Sequence, residues 1–219
     1  MRRVLTLVAP LGLAFIPLGM ALGFLVVHAG LAWWWAPVFA GVIYAGSLEF
    51  LMVALVAGGA PVATVALTTL VVNSRHIFYA LSFPLQRVRG LGAKLYSTYT
   101  LSDEAYAVAV SPQAQGWTTR PILFMQLMFH LLWVTGAALG GLLGEVLPID
   151  RLVGLDFALT ALFIVLGIEA YRQRPDRVTA VAAALCAAAA WLLVPGQMLV
   201  CAFTGFTALL LLRRRTRHA

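Results

Sequence analysis

Long apolar runs alternate along this chain with short clusters of basic residues. A helix that crosses a bilayer needs about 20 mostly apolar residues. Segments 4–27, 61–83, 121–145, 153–171, 177–194 and 197–212 approach or meet that length, the last two being short. Two further apolar segments are interrupted. Residues 31–57 are broken at Ala45-Gly46-Ser47 and carry Glu49, and residues 96–112 are half polar and contain Asp103-Glu104. The pattern predicts an all-α polytopic membrane protein with about six spanning helices plus broken or re-entrant segments, forming one transmembrane domain over 1–219.

Composition agrees with this reading. Of 219 residues, 62% are hydrophobic and 11% charged, and the mean hydropathy is +0.94. A soluble domain carries about a quarter charged residues, and a globule this apolar would expose large sticky patches to water.

The formal charge of +7 raises the possibility of nucleic acid, but its distribution argues otherwise. Basic residues cluster between apolar runs: Arg2-Arg3, Arg87/Arg89/Lys94, Arg172/Arg174/Arg177 and Arg213 to Arg217. Such clusters mark cytoplasmic loops under the positive-inside rule. If every segment up to residue 83 crossed once, Arg87, Arg89 and Lys94 would lie outside. If 31–57 instead enters and leaves from the outer side as two half-helices, and 96–112 does not cross, all these clusters become cytoplasmic and only Arg151 is external. Both termini are then cytoplasmic, and a bacterial inner membrane is the expected location.

The N-terminus imitates a signal peptide. Its apolar run of about 24 residues exceeds the 7–15 of a signal core, so it reads as a retained first helix. Cys186 and Cys201 lie inside apolar runs and read as small core residues. Gly136, Gly140 and Gly144, like Gly19 and Gly23, are spaced by four, as in helices that approach closely in lipid. Trp33, Trp34 and Trp35 read as an outer interfacial belt.

Ionisable residues at membrane depth are costly and face protein or a watery cavity, so they are the first candidates for chemistry. In the stretch 41–50, Gly46 and Ser47 can break a helix and free backbone groups to bind the charged ends of a zwitterion, with Glu49 just beyond. A neutral, hydrogen-bonded structural Glu49 is the plain alternative. In 73–79, Asn73, Arg75, His76 and Tyr79 fall near one stripe. Arg75 keeps its charge and must pair with an acid, meet a substrate carboxylate or snorkel. Ser102, Asp103 and Glu104 either start a helix, with acids at its N-terminus, or form a proton-accepting or cation-pairing site opposite Arg75. His130 reads as a satisfied core histidine near Trp133, and Asp156 and Glu169 as interfacial.

No HExxH, GxSxG or GxxxxGK[ST] motif occurs. The expectation is therefore a protein that is not an enzyme and has no cofactor, no metal and no nucleic-acid partner. With no nucleotide-binding domain, an ion gradient or a partner must drive any uphill transport.

Three motifs carry a resemblance. AGVIYAGSLEF (40–50) resembles the AGxxQF region of the AzlC family of branched-chain amino-acid exporters, VNSRHIFYAL (72–81) its NxRHxxY region, and LSDEAYAV (101–108) its DE-containing segment. Order and spacing agree through residue 110, and the remainder agrees by hydropathy. The resemblance implies export of valine, leucine, isoleucine or methionine, drive by the proton gradient, and a small hydrophobic AzlD-type membrane subunit. One position departs: Glu49 stands where the family pattern usually has Gln. A carboxylate takes up a proton and an amide does not.

The leading expectation is a secondary exporter of apolar amino acids. Gly46, Ser47, Glu49, Asn73, Arg75 and His76 would line the substrate site, while Glu49, Asp103 and Glu104 would pair charge or carry protons. The rivals are a transporter or channel for another small solute, and a membrane subunit that does not itself transport.

Overall fold

The computed structural model describes residues 2–147, 164, 168, 171–172, 175–194 and 198–218. The expected span 153–171, with Arg151, Asp156 and Glu169, lies largely or wholly outside these. The described residues are helical and contain no strand. The helices are α1 (Arg2–Leu13), α2 (Phe15–His28), α3 (Trp35–Val42), α4 (Gly46–Ala57), α5 (Val62–Asn73), α6 (Arg75–Ser82), α7 (Leu91–Tyr99), α8 (Asp103–Val110), α9 (Thr119–Val146), α10 (Arg177–Leu193) and α11 (Met198–His218). Short 3-10 turns lie at Leu85–Arg87 and Pro112–Ala114.

Two stretches among the described residues are long and apolar enough to cross a membrane: Val4–His28, of 25 residues, and Thr119–Val146, of 28. Segment 61–83, expected as one span, is instead two consecutive helices. Ser74 keeps helical angles (φ −53, ψ −27), but the Ile77 N–H bonds the Ser74 carbonyl at 3.2 Å. That i→i+3 bond tightens the run locally.

Chain contacts separate two compact units, residues 1–61 with 72–155, and 62–71 with 156–219. In the first unit α9 is the central post, and α1, α2, α3, α7 and α8 pack against it. The seam between α2 and α9 is built from glycine. A Cβ on Gly19 would stand 2.7 Å from the Trp133 carbonyl oxygen, and one on Gly136 would stand 2.6 Å from that of Ile16. Cβ atoms on Gly23 and Gly140 would likewise collide with the backbone of Gly141 and Met20. Lipid supplies no hydrophobic drive between helices, so this backbone approach, with its dispersion contacts, holds them together. Around the seam, Leu22, Val26, Ile122, Met125 and Phe129 are buried. Other apolar side chains, such as Leu5, Leu131 and Leu142, point outward, as a lipid-facing surface requires.

The turns have local causes. α2 ends in a Schellman motif: Gly30 sits at φ +80, its N–H bonds Val27 O at 2.9 Å, and Leu31 N–H bonds Val26 O at 3.2 Å. α4 ends the same way at Gly59, where φ is +62. Only glycine enters that left-handed conformation without strain.

In the second unit α10 and α11 form a pair. Asp176 caps α10, its Oδ1 accepting from Val178 N at 3.0 Å and Thr179 N at 3.3 Å. Arg213 of α11 donates to Asp176 Oδ2 at 2.9 Å. Hydrogen bonds from Thr179, then Arg213, lower the Asp176 carboxyl from 3.8 to about 2.

Gly140→Ala is expected to destabilise the protein by about 1–3 kcal/mol through forced backbone shifts. Gly92→Ala, where nothing lies within 4 Å of the added methyl, is the control, and thermal unfolding in detergent compares the two. For Asp176 the folded-state pKa is depressed, so its contribution is present above the unfolded value and lost as pH falls from about 4 towards about 2. Asp176→Ala is expected to speed amide exchange at Val178 and Thr179 several-fold near neutral pH, with the difference from wild type vanishing at acid pH.

Candidate functional site

The interruption in 31–57 falls at Ile43, Tyr44 and Ala45, so Gly46 opens α4 rather than forming the break. A Cβ there would make ordinary contact with the Trp133 ring of α9, 3.5 Å away. Tyr44 turns the chain. Its φ of +46 lies in the left-handed region, which costs a non-glycine residue about 1–2 kcal/mol. Such strain persists only where the surroundings over-determine it.

Glu49 supplies much of that restraint. It is fully buried, at 0% exposure. Its Oε1 accepts from the Ala45 N–H at 2.7 Å, reaching back one turn to the residue that precedes the helix. Its Oε2 accepts from Trp133 Nε1 at 2.9 Å. One carboxylate thus caps the start of α4 and fastens it to α9. Protonating either oxygen at the bonded site would set an O–H against an N–H.

Beside the break lies a ring cluster that the sequence reading did not assemble. His130 of α9 faces Tyr44, with ring centroids 4.5 Å apart, and Tyr99 and Tyr96 of α7 at 5.8 Å and 6.2 Å. His130 Nδ1 is 3.3 Å from the Tyr96 hydroxyl, and the Tyr99 hydroxyl donates to the Gly41 carbonyl of α3. Tyr44 is 7% exposed. Among the described residues neither its hydroxyl nor His130 Nε2 makes a hydrogen bond of good geometry, although Ser102 lies close to the hydroxyl and the Gly41 carbonyl close to the His130 ring. The partner of His130 that the structure shows is thus Tyr96, at Nδ1.

Asp103 and Glu104 open α8. Ser102 caps that helix, its Oγ accepting from Ala105 N at 3.2 Å, which matches the helix-start reading. The side chain of Glu104 is exposed and that of Asp103 half-buried.

Asn73 ends α5, and its buried Oδ1 has no hydrogen bond among the described residues. Arg75 opens α6, and its side chain lies outside the described residues. His76 meets Tyr79 edge-on at 5.5 Å, and Tyr79 stacks on Tyr106 of α8 at 4.5 Å. Aromatic contact thus joins α6 to α8, the helix that begins with the acids. Among the described residues no group of three or more His, Cys, Asp or Glu is arranged to hold a metal.

Membrane-length apolar helices, an outward apolar surface and a broken helix closed by a buried carboxylate define a helical membrane protein. The chain belongs to the AzlC family, whose AzlC protein profile matches residues 10–147. It is 32% identical to the branched-chain amino acid transport protein AzlC of Bacillus subtilis, over 87% of this chain and 76% of that protein. It is 37% identical to an uncharacterised membrane protein of Haemophilus influenzae, over 73% of this chain and 66% of that one. It is 25% identical to the Escherichia coli inner membrane protein YgaZ, over 75% and 71%. No solved structure matches the chain.

Trp133→Phe leaves Glu49 Oε2 without its donor, and an unsatisfied buried acceptor costs about 1–3 kcal/mol. Glu49→Ala strands the Ala45 and Trp133 N–H groups and opens a cavity, so it is expected to be the more damaging. Glu49→Gln keeps one acceptor and is expected to fold. Thermal unfolding of the three purified variants, with Glu49→Ala the least stable, Trp133→Phe next and Glu49→Gln the mildest, checks the assignment.

Proposed function

We propose that this chain is a secondary transporter that exports branched-chain or related apolar amino acids, coupled to protons. The observation that carries the reading is the α3–α4 break, closed by a buried carboxylate, in a chain akin to a branched-chain amino acid transport protein. Transporters commonly bind substrate where a helix is broken near mid-membrane, using freed backbone groups. Gly46, Ser47 and Glu49 line the substrate site from α4, and Asn73, Arg75 and His76 face it from α5 and α6. Asp103 and Glu104 pair with Arg75 or relay protons.

The Glu49 contacts suggest how protons and substrate are linked. Its two oxygens serve two N–H donors, one on the break and one on α9. Adding a proton at a bonded oxygen removes an acceptor and loosens the joint. Substrate binding at the same joint then senses whether the proton is present. The chain works as one transmembrane domain of about six spans in a bacterial inner membrane, with both termini cytoplasmic, beside a small hydrophobic AzlD-type subunit. The basic clusters on either side of its apolar segments support that orientation.

The test is efflux of radiolabelled valine, leucine, isoleucine and methionine from proteoliposomes, with and without the small subunit. Efflux is expected to quicken when the outside is acidified. Glu49→Gln is expected to fold and to flatten or shift that pH dependence. An unaltered pH profile in Glu49→Gln removes Glu49 from coupling, and no flux of any of the four with either preparation sinks the transport reading.

A further inference from the structure

Arg89, Lys94 and Arg120 are exposed basic residues that the transport reading leaves unused. Hydrogen bonds gather them at one end of α9. The Arg89 N–H donates to Thr119 Oγ1 at 2.8 Å, and that hydroxyl donates to the Arg87 carbonyl at 3.3 Å. The Arg87 guanidinium in turn donates to the Ala114 carbonyl at 3.3 Å. The stretch 87–89 is thus laced to the residues that lead into α9, where Arg120 stands, and Lys94 follows in the first turn of α7. Among the described residues none of the three exposed cations is paired with an acid. Like charges gathered on one surface attract an anion.

What lies next to the charges identifies the rest of that anion. α7 runs from this end along α9 towards its middle. Its entry is tied at Thr119, and Gln126 Nε2 donates to the Ser97 carbonyl at 2.7 Å, about 10 Å further along α9 at the helical rise. Leu91 and Leu95, one turn apart on one face of α7, are 76% and 63% exposed. Helical side chains tilt towards the N-terminus, so Lys94 leans back towards Arg89, and its long stem carries the ammonium to the polar zone. Trp117, half-buried just before Thr119, is of the type that settles at headgroup level. Charges at the membrane surface, with bare leucines beside them towards the bilayer interior, repeat the order of a phospholipid: phosphate first, acyl chain next. A small soluble anion would use the charges alone.

We infer that Arg89, Lys94 and Arg120 hold the headgroup phosphate of an anionic phospholipid whose acyl chain lies on Leu91 and Leu95. The lipid belongs to the leaflet on the basic side, the cytoplasmic one under the positive-inside rule. Its headgroup bridges the entry of α7 to the start of α9, adding to the bonds made by Thr119. The inference goes beyond the transport reading and needs no transported solute.

The experiment measures lipid binding to the purified full-length protein in detergent, by native mass spectrometry and by thermal unfolding. The probes are phosphatidylglycerol, phosphatidylcholine with the same acyl chains, and soluble glycerol 3-phosphate. Phosphatidylglycerol is expected to be retained and to raise the melting temperature, and the other two are not. Arg89→Gln with Arg120→Gln is expected to weaken the tightest phosphatidylglycerol about 25-fold, at about five-fold for each basic residue near the surface. Arg172→Gln with Arg177→Gln removes the same charge from another cluster and is expected to leave that affinity nearly unchanged. Leu91→Ser with Leu95→Ser is expected to weaken the lipid several-fold while the lipid-free melting temperature holds, because both side chains are exposed. The bond that fixes Arg89 uses its backbone N–H, so the arginine substitutions keep it.

Equal retention of phosphatidylcholine overturns the assignment by removing charge selection. Glycerol 3-phosphate binding as tightly as the lipid overturns it by removing the acyl chain. An Arg89 and Arg120 double variant that loses no more affinity than the Arg172 and Arg177 control places the lipid elsewhere. Should that double variant fail to fold, Lys94→Gln decides alone: about a five-fold loss supports the site, and no loss overturns it.

Discussion

A chain interrupted inside an apolar medium leaves backbone N–H groups that no solvent can satisfy. The break between α3 and α4 is tolerable because Glu49 reaches back to the Ala45 N–H and across to Trp133. That carboxylate is the clasp on which the local architecture turns. It lets Tyr44 hold a left-handed backbone, places α4 against α9, and brings the start of α4 beside the His130 ring cluster. Trp133 is fixed in turn by the seam, since its carbonyl is one of the atoms that Gly19 approaches.

The elements most legible from sequence are the long uninterrupted ones. Segment 121–145 is α9 to within two residues at its start and one at its end, because a sustained apolar run leaves little alternative. The glycine spacing of four likewise foretold a close approach, and α2 meets α9 through those residues. Interruptions were harder to place. Glycine is the usual breaker, so Gly46 reads as the point of rupture, whereas it begins α4 and Tyr44, at φ +46, makes the turn. Ser74 carries no breaking signal, so the tightening between α5 and α6 was invisible.

The candidate site was legible in part. Glu49 stood out because a carboxylate in an apolar run is costly, and it is buried and doubly bonded. Its partners could not be read, since Trp133 lies 84 residues away in sequence and only the packing of α9 joins them. Tyr44, Tyr96 and Tyr99 were passed over because tyrosines in apolar segments are ordinary. Their meaning comes from convergence on His130, which depends on three helices meeting. For Asp103 and Glu104, the helix-start reading is realised by the Ser102 cap.

The glycine seam has a mechanical corollary. Two helices whose backbones touch along several turns have no side-chain layer to shear, so neither can slide or roll without steric collision. α2 and α9 therefore behave as a single strut. Relative motion within this unit is then left to the shorter helices packed beside the strut, such as α3 and α7. Stiffness in this unit is thus concentrated where glycine brings two backbones together, and the indole of Trp133 ties α4 to that rigid line.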